Sequence, residues 1–188
     1  MIERGAMPPK QYQNPPALIL DPGSLYSATI KTSLGDMTLQ LLPAEAPRTV
    51  NNFVFLARDG FYDGGGFHRI IKEFMIQGGC PKGDGTGGPG YRFQDEEVKR
   101  PYVKGTLAMA NAGPDTNGSQ FFIVHGASVG LPPNYTIFGQ LITGEDILDK
   151  LAAVPVTSGG GGEQSKPTDT LEIITIEITE EPIGNQEA

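Results

Sequence analysis

Short segments in which apolar and polar residues alternate limit the fold of this chain more than any other feature. Residues 26–42 alternate on both sides of the turn LGD, and residues 171–179 alternate again. Because successive side chains of a strand point to opposite faces, such segments predict strands with one buried face, the first two joined as a hairpin. Further strand-like segments lie near 67–71, 74–78, 105–110, 121–124 and 136–141.

Two segments have helical spacing instead. Apolar side chains recur at helical intervals in residues 47–59, where Pro47 suits the first helical position. A second helix is predicted over residues 144–153, with Thr143 as its N-cap. Roughly seven or eight strands and two helices, with mostly short antiparallel connections, predict a mostly β fold. We expect a closed antiparallel β-barrel capped by the two α-helices, and a split sandwich is the alternative.

The length of 188 residues predicts one domain with tails. Residues 1–24 are rich in Pro, Gln and Asn and have no periodicity, so we expect an extended, loosely ordered, Pro-rich N-terminal arm. Residues 25–180 would form the folded domain, and residues 181–188 a short C-terminal tail. Residues 157–169, TSGGGGEQSKPTD, are predicted to be a flexible connector.

Composition and charge exclude several classes of protein. The 26 glycines and 16 prolines indicate turns and shaped loops rather than a helical bundle. The formal net charge is −8 and no run of Lys and Arg stands out, so no nucleic-acid partner is expected. One cysteine and two histidines exclude an internal disulfide and a Cys/His metal cluster, and we expect neither metal nor cofactor. Without a leader pattern or a membrane-length apolar run, we expect no membrane contact and a cytoplasmic location.

The stretch GFHRIIKEFMIQGG at 66–79 carries a cation and an amide within two apolar runs. A strand that only builds a core needs neither Arg69 nor Gln77. By strand alternation Arg69 would share a face with Phe67, and Met75 would share one with Gln77. If the two faces coincide, a cation, a polarizable thioether and an amide border one patch. The alternative is that the Arg69 side chain merely extends to solvent.

The stretch MANAGPDTNGSQFF at 109–122 is unusual in a different way. Its small residues allow another backbone to approach closely. Asn111 and Gln120 offer paired donors and acceptors, and Phe122 offers an apolar wall. These side chains suit the holding of a ligand, and a tight loop that joins two strands is the alternative.

Residues that break covalent bonds are scarce. His68 and His125 are the two histidines, and neither accompanies a recognisable nucleophile motif. Cys80 lies in a loop rich in Gly and Pro, where an ordinary thiol is expected. The glycine-rich GDGTGGPG at 83–90 lacks the lysine and hydroxyl that end a phosphate-binding loop. What remains is a set of residues suited to holding a ligand rather than to cleaving it.

Both unusual stretches resemble the signature segments of the cyclophilin-type peptidyl-prolyl cis-trans isomerases. With GDGTGG between them and FGQL after them, the similarity covers about residues 26–180. The resemblance implies an eight-stranded antiparallel barrel with a helix closing each end and a groove on its outer surface. It also implies an enzyme that rotates Xaa-Pro bonds and assists protein folding. Its partners would be proline-containing peptides and unfolded or flexible protein segments.

Two other functions are possible on this pattern. One is a catalytically weak proline-peptide binding module or chaperone on the same fold, for which turnover rather than binding is the discriminator. The other is a barrel that carries a small hydrophobic ligand in its interior.

The resemblance also implies roles for individual side chains. The positions that match the family's catalytic residues are Arg69, Phe74, Gln77 and Asn111. The positions that match its substrate-binding residues are Met75, Gly85, Ala110, Ala112, Gln120, Phe122, Leu131 and Tyr135. Gly130 stands where many members carry tryptophan, and Tyr135 where many carry histidine. Since the family uses the tryptophan N–H to hold cyclosporin, we expect weak cyclosporin binding; we also expect a monomer.

Overall fold

The computed structural model describes residues 9–184, which form ten strands and two α-helices. Eight strands build a barrel: β1 (Ser24–Thr32), β2 (Gly35–Leu41), β3 (Gly65–Ile71), β4 (Met75–Gly78), β5 (Thr106–Met109), β6 (Phe121–Val124), β7 (Ile137–Thr143) and β10 (Glu172–Pro182). The helices are α1 (Pro47–Arg58) and α2 (Glu145–Ala152), and a separate hairpin consists of β8 (Val156–Ser158) and β9 (Gln164–Pro167).

The barrel strands follow the order β1-β10-β3-β4-β6-β5-β7-β2, and neighbouring strands are antiparallel. Closure results from β1, which pairs with both β10 and β2. The predicted fold, a closed eight-stranded antiparallel barrel with two helices, is confirmed, and the split sandwich is wrong. The first predicted hairpin is formed by β1 and β2.

Side chains from the inner faces of the strands fill the barrel. The ring of Phe53 in α1 has its centroid 5.5 Å from that of Phe121 and 5.2 Å from that of Phe138. All three side chains are fully buried. Burial of one such side chain contributes about 1.5–3 kcal/mol, so this cluster ties α1 to the barrel. A filled interior gives no support to a ligand carried inside, and the groove has to be sought on the outer surface.

α1 begins at Pro47, as predicted, but its N-cap residue provides no side-chain hydrogen bond. A distant carboxylate satisfies the free N–H groups instead. Glu96 accepts hydrogen bonds from the backbone N–H of Arg48 at 3.1 Å and of Thr49 at 2.9 Å. An anion at a helix N-terminus is favourable, so this contact fastens the long 79–105 connection to the helix.

α2 has the predicted position but a different N-cap. Thr143 remains in β7, where it pairs with Thr38, and Gly144 takes the N-cap position with a φ of 91°. A Cβ on Gly144 would lie 2.4 Å from the backbone oxygen of Asp36. Only glycine fits this close approach in a left-handed conformation, which is why the predicted Thr143 cap is wrong.

Residues 9–23 are held against the domain, which differs from the expected loosely ordered arm. The backbone N–H of Tyr12 donates to the carbonyl of Pro89 at 2.8 Å. The ring centroid of Tyr12 lies 5.3 Å from that of Phe55 in α1. Farther along, the side-chain amide of Asn51 bonds to the arm backbone at 2.7 and 2.9 Å. The signal in the sequence is Tyr12 itself, because an aromatic ring in a polar segment gains by burial.

The C-terminal end of the described chain meets the point where the arm joins β1. β10 continues to Pro182, past the predicted boundary at 180, and the N–H of Ile183 donates to the carbonyl of Gly23 at 2.8 Å. The rest of the predicted arm and tail, residues 1–8 and 185–188, lies outside the described residues. None of the helices that the structure describes is long and apolar enough to cross a membrane.

The predicted flexible connector at 157–169 folds as most of the β8–β9 hairpin. Thr157 pairs with Lys166, and the tip is a short 3-10 turn at Gly160–Gly162 in which Gly161 has a φ of 71°. β9 lies against β3 of the barrel. The glycine run predicts flexibility from local propensity alone. The packing of β9 on β3 is a long-range contact that local propensity does not reveal.

Candidate active site

A β-bulge in β3 decides where Arg69 points. Phe67 lies opposite Gly78 and Arg69 lies opposite Gln77, so the register shifts by one residue between them. Phe67 is buried inside the barrel beside Phe121, whereas Arg69 lines a depression on the outer surface. The predicted shared face of Arg69 and Phe67 is wrong, because the extra residue of a bulge reverses the alternation that follows it.

The other half of the predicted pattern is confirmed, since Met75 and Gln77 share the outer face of β4. Met75 is almost completely buried and packs with Phe122 in a cluster separate from the barrel interior. Phe122 of β6 lies opposite Gln77. Together with Arg69, these side chains bring a thioether, a phenyl ring, an amide and a guanidinium to one place.

That place is a pocket of about 190 Å³. It is lined by Arg69, Phe74, Met75, Gln77, Ala110, Asn111, Phe122, Leu131 and Tyr135. Each of these residues belongs to the set predicted from the sequence, and their individual roles stay predictions. Drug-sized ligands take about 300–1,000 Å³, so a pocket of this size suits one side chain.

The 131–135 loop closes one side of the pocket. The hydroxyl of Tyr102 donates to the carbonyl of Tyr135 at 2.8 Å and accepts from its N–H at 3.1 Å. Burial raises the pKa of Tyr102, so the hydroxyl remains protonated at neutral pH. The ring of Tyr135 meets Phe122 edge-on, with centroids 5.7 Å apart. The tyrosine therefore supplies an aromatic wall, and Leu131 in the same loop reaches the pocket.

A chain of hydrogen bonds links the pocket to the glycine-rich loop. Nη1 of Arg69 donates to Oε1 of Gln77 at 3.3 Å, and Nε2 of Gln77 donates to Oε1 of Gln120 at 3.1 Å. Nε2 of Gln120 then donates to the carbonyls of Gly85 and Gly87, both at 2.9 Å. Because a guanidinium only donates, the oxygen of Gln77 faces Arg69, and the orientation of each following amide is determined.

A second depression, of about 880 Å³, adjoins the pocket. Gln77, Ala110 and Asn111 line both. Asn111 is held at this junction, since its Nδ2 donates to the carbonyl of Asn134 at 2.8 Å and its Oδ1 accepts the N–H of Gly113 at 3.2 Å. The two depressions thus form one groove with a common middle.

The second depression contains the predicted residues that do not reach the pocket, which are Gly85, Ala112 and Gln120. The N-terminal arm adds Pro9 and Gln11 to its lining, and Nε2 of Gln11 donates to the carbonyl of Gly88 at 2.8 Å. Sequence reasoning missed both arm residues, because nothing in the arm indicates which surface it covers.

Glu163 is the other residue that sequence reasoning missed, and it binds Arg69 through both carboxylate oxygens. Nε and Nη2 of Arg69 donate to Oε2 and Oε1 of Glu163, each at 2.8 Å. The reading in which Arg69 merely extends to solvent is therefore wrong. The ion pair raises the pKa of Arg69 and lowers that of Glu163, so both are charged at neutral pH. The two residues are 94 positions apart, and no local motif connects them.

The remaining chemistry-bearing side chains have structural partners or lie apart from the pocket. Nε2 of His125 lies 3.1 Å from the carboxylate of Asp149, and Cys80 is buried with its sulfur accepting a backbone N–H. Burial lowers the pKa of His68, which favours its neutral form. No cluster of His, Cys, Asp and Glu in the described part of the chain could hold a metal ion.

Comparison with known proteins identifies the family to which this chain is similar. The sequence model of the family described as "Cyclophilin type peptidyl-prolyl cis-trans isomerase/CLD" matches residues 27–178. The peptidyl-prolyl cis-trans isomerase B of Streptomyces anulatus is 47% identical in an alignment of 150 positions that covers 68% of this chain and 84% of that protein. A putative bifunctional phosphatase/peptidyl-prolyl cis-trans isomerase of Streptococcus pyogenes is 43% identical in an alignment of 196 positions that covers 87% of this chain. The chain spans only 41% of that longer relative.

Solved structures agree with this match. A cyclophilin type peptidyl-prolyl cis-trans isomerase of Cryptosporidium parvum, crystallised in the presence of the dipeptide Ala-Pro, is 38% identical with a TM-score of 0.75. The similarity covers 81% of this chain and 98% of that one.

Proposed function

Since this chain belongs to the cyclophilin-type peptidyl-prolyl cis-trans isomerases, we propose that its groove catalyses rotation about Xaa-Pro peptide bonds and so assists protein folding. One observation carries the proposal. Arg69, a permanent cation, lines a pocket of about 190 Å³ whose apolar walls, among them Met75 and Phe122, suit one proline ring. The substrates are proline-containing peptides and flexible or unfolded protein segments, because the groove is open to the outside.

The reaction requires stabilisation of a twisted amide, and no covalent bond is broken. Rotation ends the resonance of the peptide bond, which creates a barrier of about 18–20 kcal/mol and an uncatalysed time of tens to hundreds of seconds. In the twisted state the prolyl nitrogen regains a lone pair that can accept a hydrogen bond. A donor to this nitrogen stabilises the transition state more than either planar ground state, as catalysis demands.

Arg69 is suited to be this donor. A guanidinium has five N–H groups, of which Glu163 accepts two and Gln77 one. No other group of residues 9–184 accepts a hydrogen bond from Arg69, so one N–H on each terminal nitrogen remains for a substrate. A 10⁴-fold acceleration takes about 5.5 kcal/mol. One charge-assisted hydrogen bond supplies about 1.5–3 kcal/mol, and orientation of the substrate accounts for the rest.

The pocket and the amides hold the substrate while the bond rotates. Phe74, Met75 and Phe122 are the apolar walls around the proline ring. Gln77 and Asn111, which line both depressions, hold the peptide on the side that enters the larger one. A bound proline in this position places its amide next to Arg69.

A catalytically weak binding module or chaperone on the same fold is not favoured. Binding of a proline ring needs only the apolar walls of the pocket. Catalysis also needs a donor to the prolyl nitrogen. The guanidinium of Arg69, held at the pocket edge with two unused N–H groups, can be that donor.

The test is isomerisation of a short Xaa-Pro peptide by the wild-type protein and by Arg69→Ala. Arg58→Ala is the matched control, because Arg58 has similar exposure and an ion pair with Glu180 but lies outside the groove. We expect wild type and the control to accelerate exchange and Arg69→Ala to lose at least about 100-fold in kcat/KM, or about 2.7 kcal/mol. If the folded wild-type protein binds the peptide without accelerating its exchange, the binding module is the correct function.

A further inference from the structure

We propose that Glu163 is a positioning residue that orients the guanidinium of Arg69 for catalysis. The β8–β9 hairpin, and not the barrel, supplies this residue. The inference rests on the proposed isomerase function and extends it to a part of the chain outside the groove walls.

The first argument is the geometry of the guanidinium. Glu163 binds the edge formed by Nε and Nη2 with two bonds of 2.8 Å, and Gln77 binds Nη1 at 3.3 Å. A bidentate carboxylate is coplanar with the fork of donors that it accepts, so it fixes the plane of the group as well as its position. Without Glu163, only the long bond to Gln77 would hold a side chain that has several rotatable bonds.

The second argument is that Glu163 is itself held in place. The N–H of Gly159 donates to the carbonyl of Glu163 at 2.7 Å, which closes the tip of the hairpin. Gly161 and Gly162 have φ values of 71° and 84°, conformations that favour glycine, and they turn the chain back toward the barrel. Ser165 of β9 is buried, and its hydroxyl adds to the effect of Arg69 in lowering the pKa of the Glu163 carboxyl.

The third argument is the placement of the hairpin. β9 lies against β3, the strand that carries Arg69. The ion pair is partly exposed, with 36% of the Arg69 side chain and 39% of the Glu163 side chain accessible. Exposed ion pairs contribute little to stability. The effect of Glu163 should therefore appear in the rate, because Arg69 is ordered before the substrate arrives.

The kinetic test compares Glu163→Ala and Glu163→Gln with the wild-type protein. We expect Glu163→Ala to lower kcat about tenfold while KM changes less than twofold, because binding of the proline ring does not use Arg69. Glu163→Gln keeps one acceptor oxygen, so its kcat should lie between those of the wild-type protein and Glu163→Ala. Gln164→Ala is the matched control, an exposed neighbour on the same hairpin, and it should behave as wild type. An unchanged or increased kcat in Glu163→Ala would overturn the proposal.

A second measurement does not depend on turnover. The NMR signal of the Arg69 Nε–H should exchange slowly with solvent in the wild-type protein and in Gln164→Ala, and faster in Glu163→Ala. A lower kcat with an unaltered Arg69 signal also overturns the proposal, since the loss would then have another cause. Wild-type protein that is inactive overturns the proposed function, whereas the Arg69 signal still decides whether Glu163 orders the guanidinium.

Discussion

The two depressions of the groove are built in different ways. The small pocket takes Arg69, Met75, Gln77 and Phe122 from strands of the closed barrel, and loops complete its lining. The larger depression is lined mostly by the loops at 81–92 and 110–120 and by the arm. Strands hold side chains more firmly than loops do, and loops tolerate variation. In the proposed mode of binding, the proline, whose amide must be placed accurately, meets side chains anchored on barrel strands, and the varied flanking residues meet loops.

The largest effect should follow from removing a strand-built wall of the pocket. Phe122→Ala deletes a nearly buried ring, so we expect a loss of about 3 kcal/mol in the free energy of unfolding. We also expect kcat/KM to fall by about 30-fold or more, since the proline ring loses its contact surface. Chemical denaturation and a peptide isomerisation assay measure the two effects. Phe122→Leu, which keeps most of the apolar volume, is the control, and equal kinetics for all three proteins would contradict the assignment of the wall.

Gly130, the neighbour of the pocket residue Leu131, offers the next test. We predict weak, micromolar cyclosporin binding, because Gly130 supplies no indole N–H. A Cβ on Gly130 meets no heavy atom within 4 Å, so a large side chain has room there. Gly130→Trp should bind cyclosporin about tenfold more tightly or better in calorimetry, and Gly130→Leu, which adds apolar surface without a donor, should gain less. Nanomolar binding by the wild-type protein would refute the prediction.

A smaller effect is expected where the arm supports the loop-built depression. Tyr12→Ala removes the ring that packs on Phe55 and the hydroxyl that donates to Asp59 at 2.6 Å. We expect unfolding to become easier by about 1–2 kcal/mol. Isomerisation of a peptide long enough to fill both depressions should slow about threefold, while a minimal Xaa-Pro substrate should be unaffected. Tyr12→Phe is the control that separates the effect of the ring from that of the hydroxyl. Equal slowing of the isomerisation of short and long substrates would argue against a role for the arm in the groove.

The smallest effect concerns the pH dependence of stability, through His68, which lies next to Gly85. Nε2 of His68 lies 3.4 Å from where a Cβ on Gly85 would stand. Burial and the nearby charge of Arg69 lower the pKa of His68 below the ordinary value of about 6.5, and Asp84 opposes this shift. Because the unfolded chain then binds the proton more readily, stability should fall as the pH drops from about 6.5 through the lowered pKa. Denaturation midpoints at pH 7.5 and 5.5 should differ more for wild type than for His68→Gln; equal differences would be inconsistent with the shift.

Local patterns in the sequence predict most of the barrel and of the pocket. Alternation identified the strands, and helical spacing identified α1 and α2, because both patterns reflect burial of one face. Seven of the nine pocket residues lie in two stretches of sequence that pair across β4 and β6, as Gln77 and Phe122 do, and the other two are Leu131 and Tyr135. A site built by neighbouring strands is therefore visible in short sequence segments.

The features that escaped prediction depend on contacts between distant parts of the chain. The bulge before Arg69 is set by the pairing of β3 with β4, and alternation alone cannot place it. Gly144 replaces Thr143 as N-cap because of the nearby backbone of Asp36. The β8–β9 hairpin, whose glycine run is typical of flexible segments, gains its order by packing on β3.

Closure of the barrel has a consequence for the proposed action on unfolded protein segments. Each of its eight strands has a hydrogen-bonded neighbour on both sides. An open sheet would present a row of unpaired backbone groups, onto which an extended client could add as a further strand and aggregate. Here each barrel strand is paired on both sides for at least part of its length, which limits this route. Under the proposed function, a client is then held through one proline ring and released without its backbone joining the sheet.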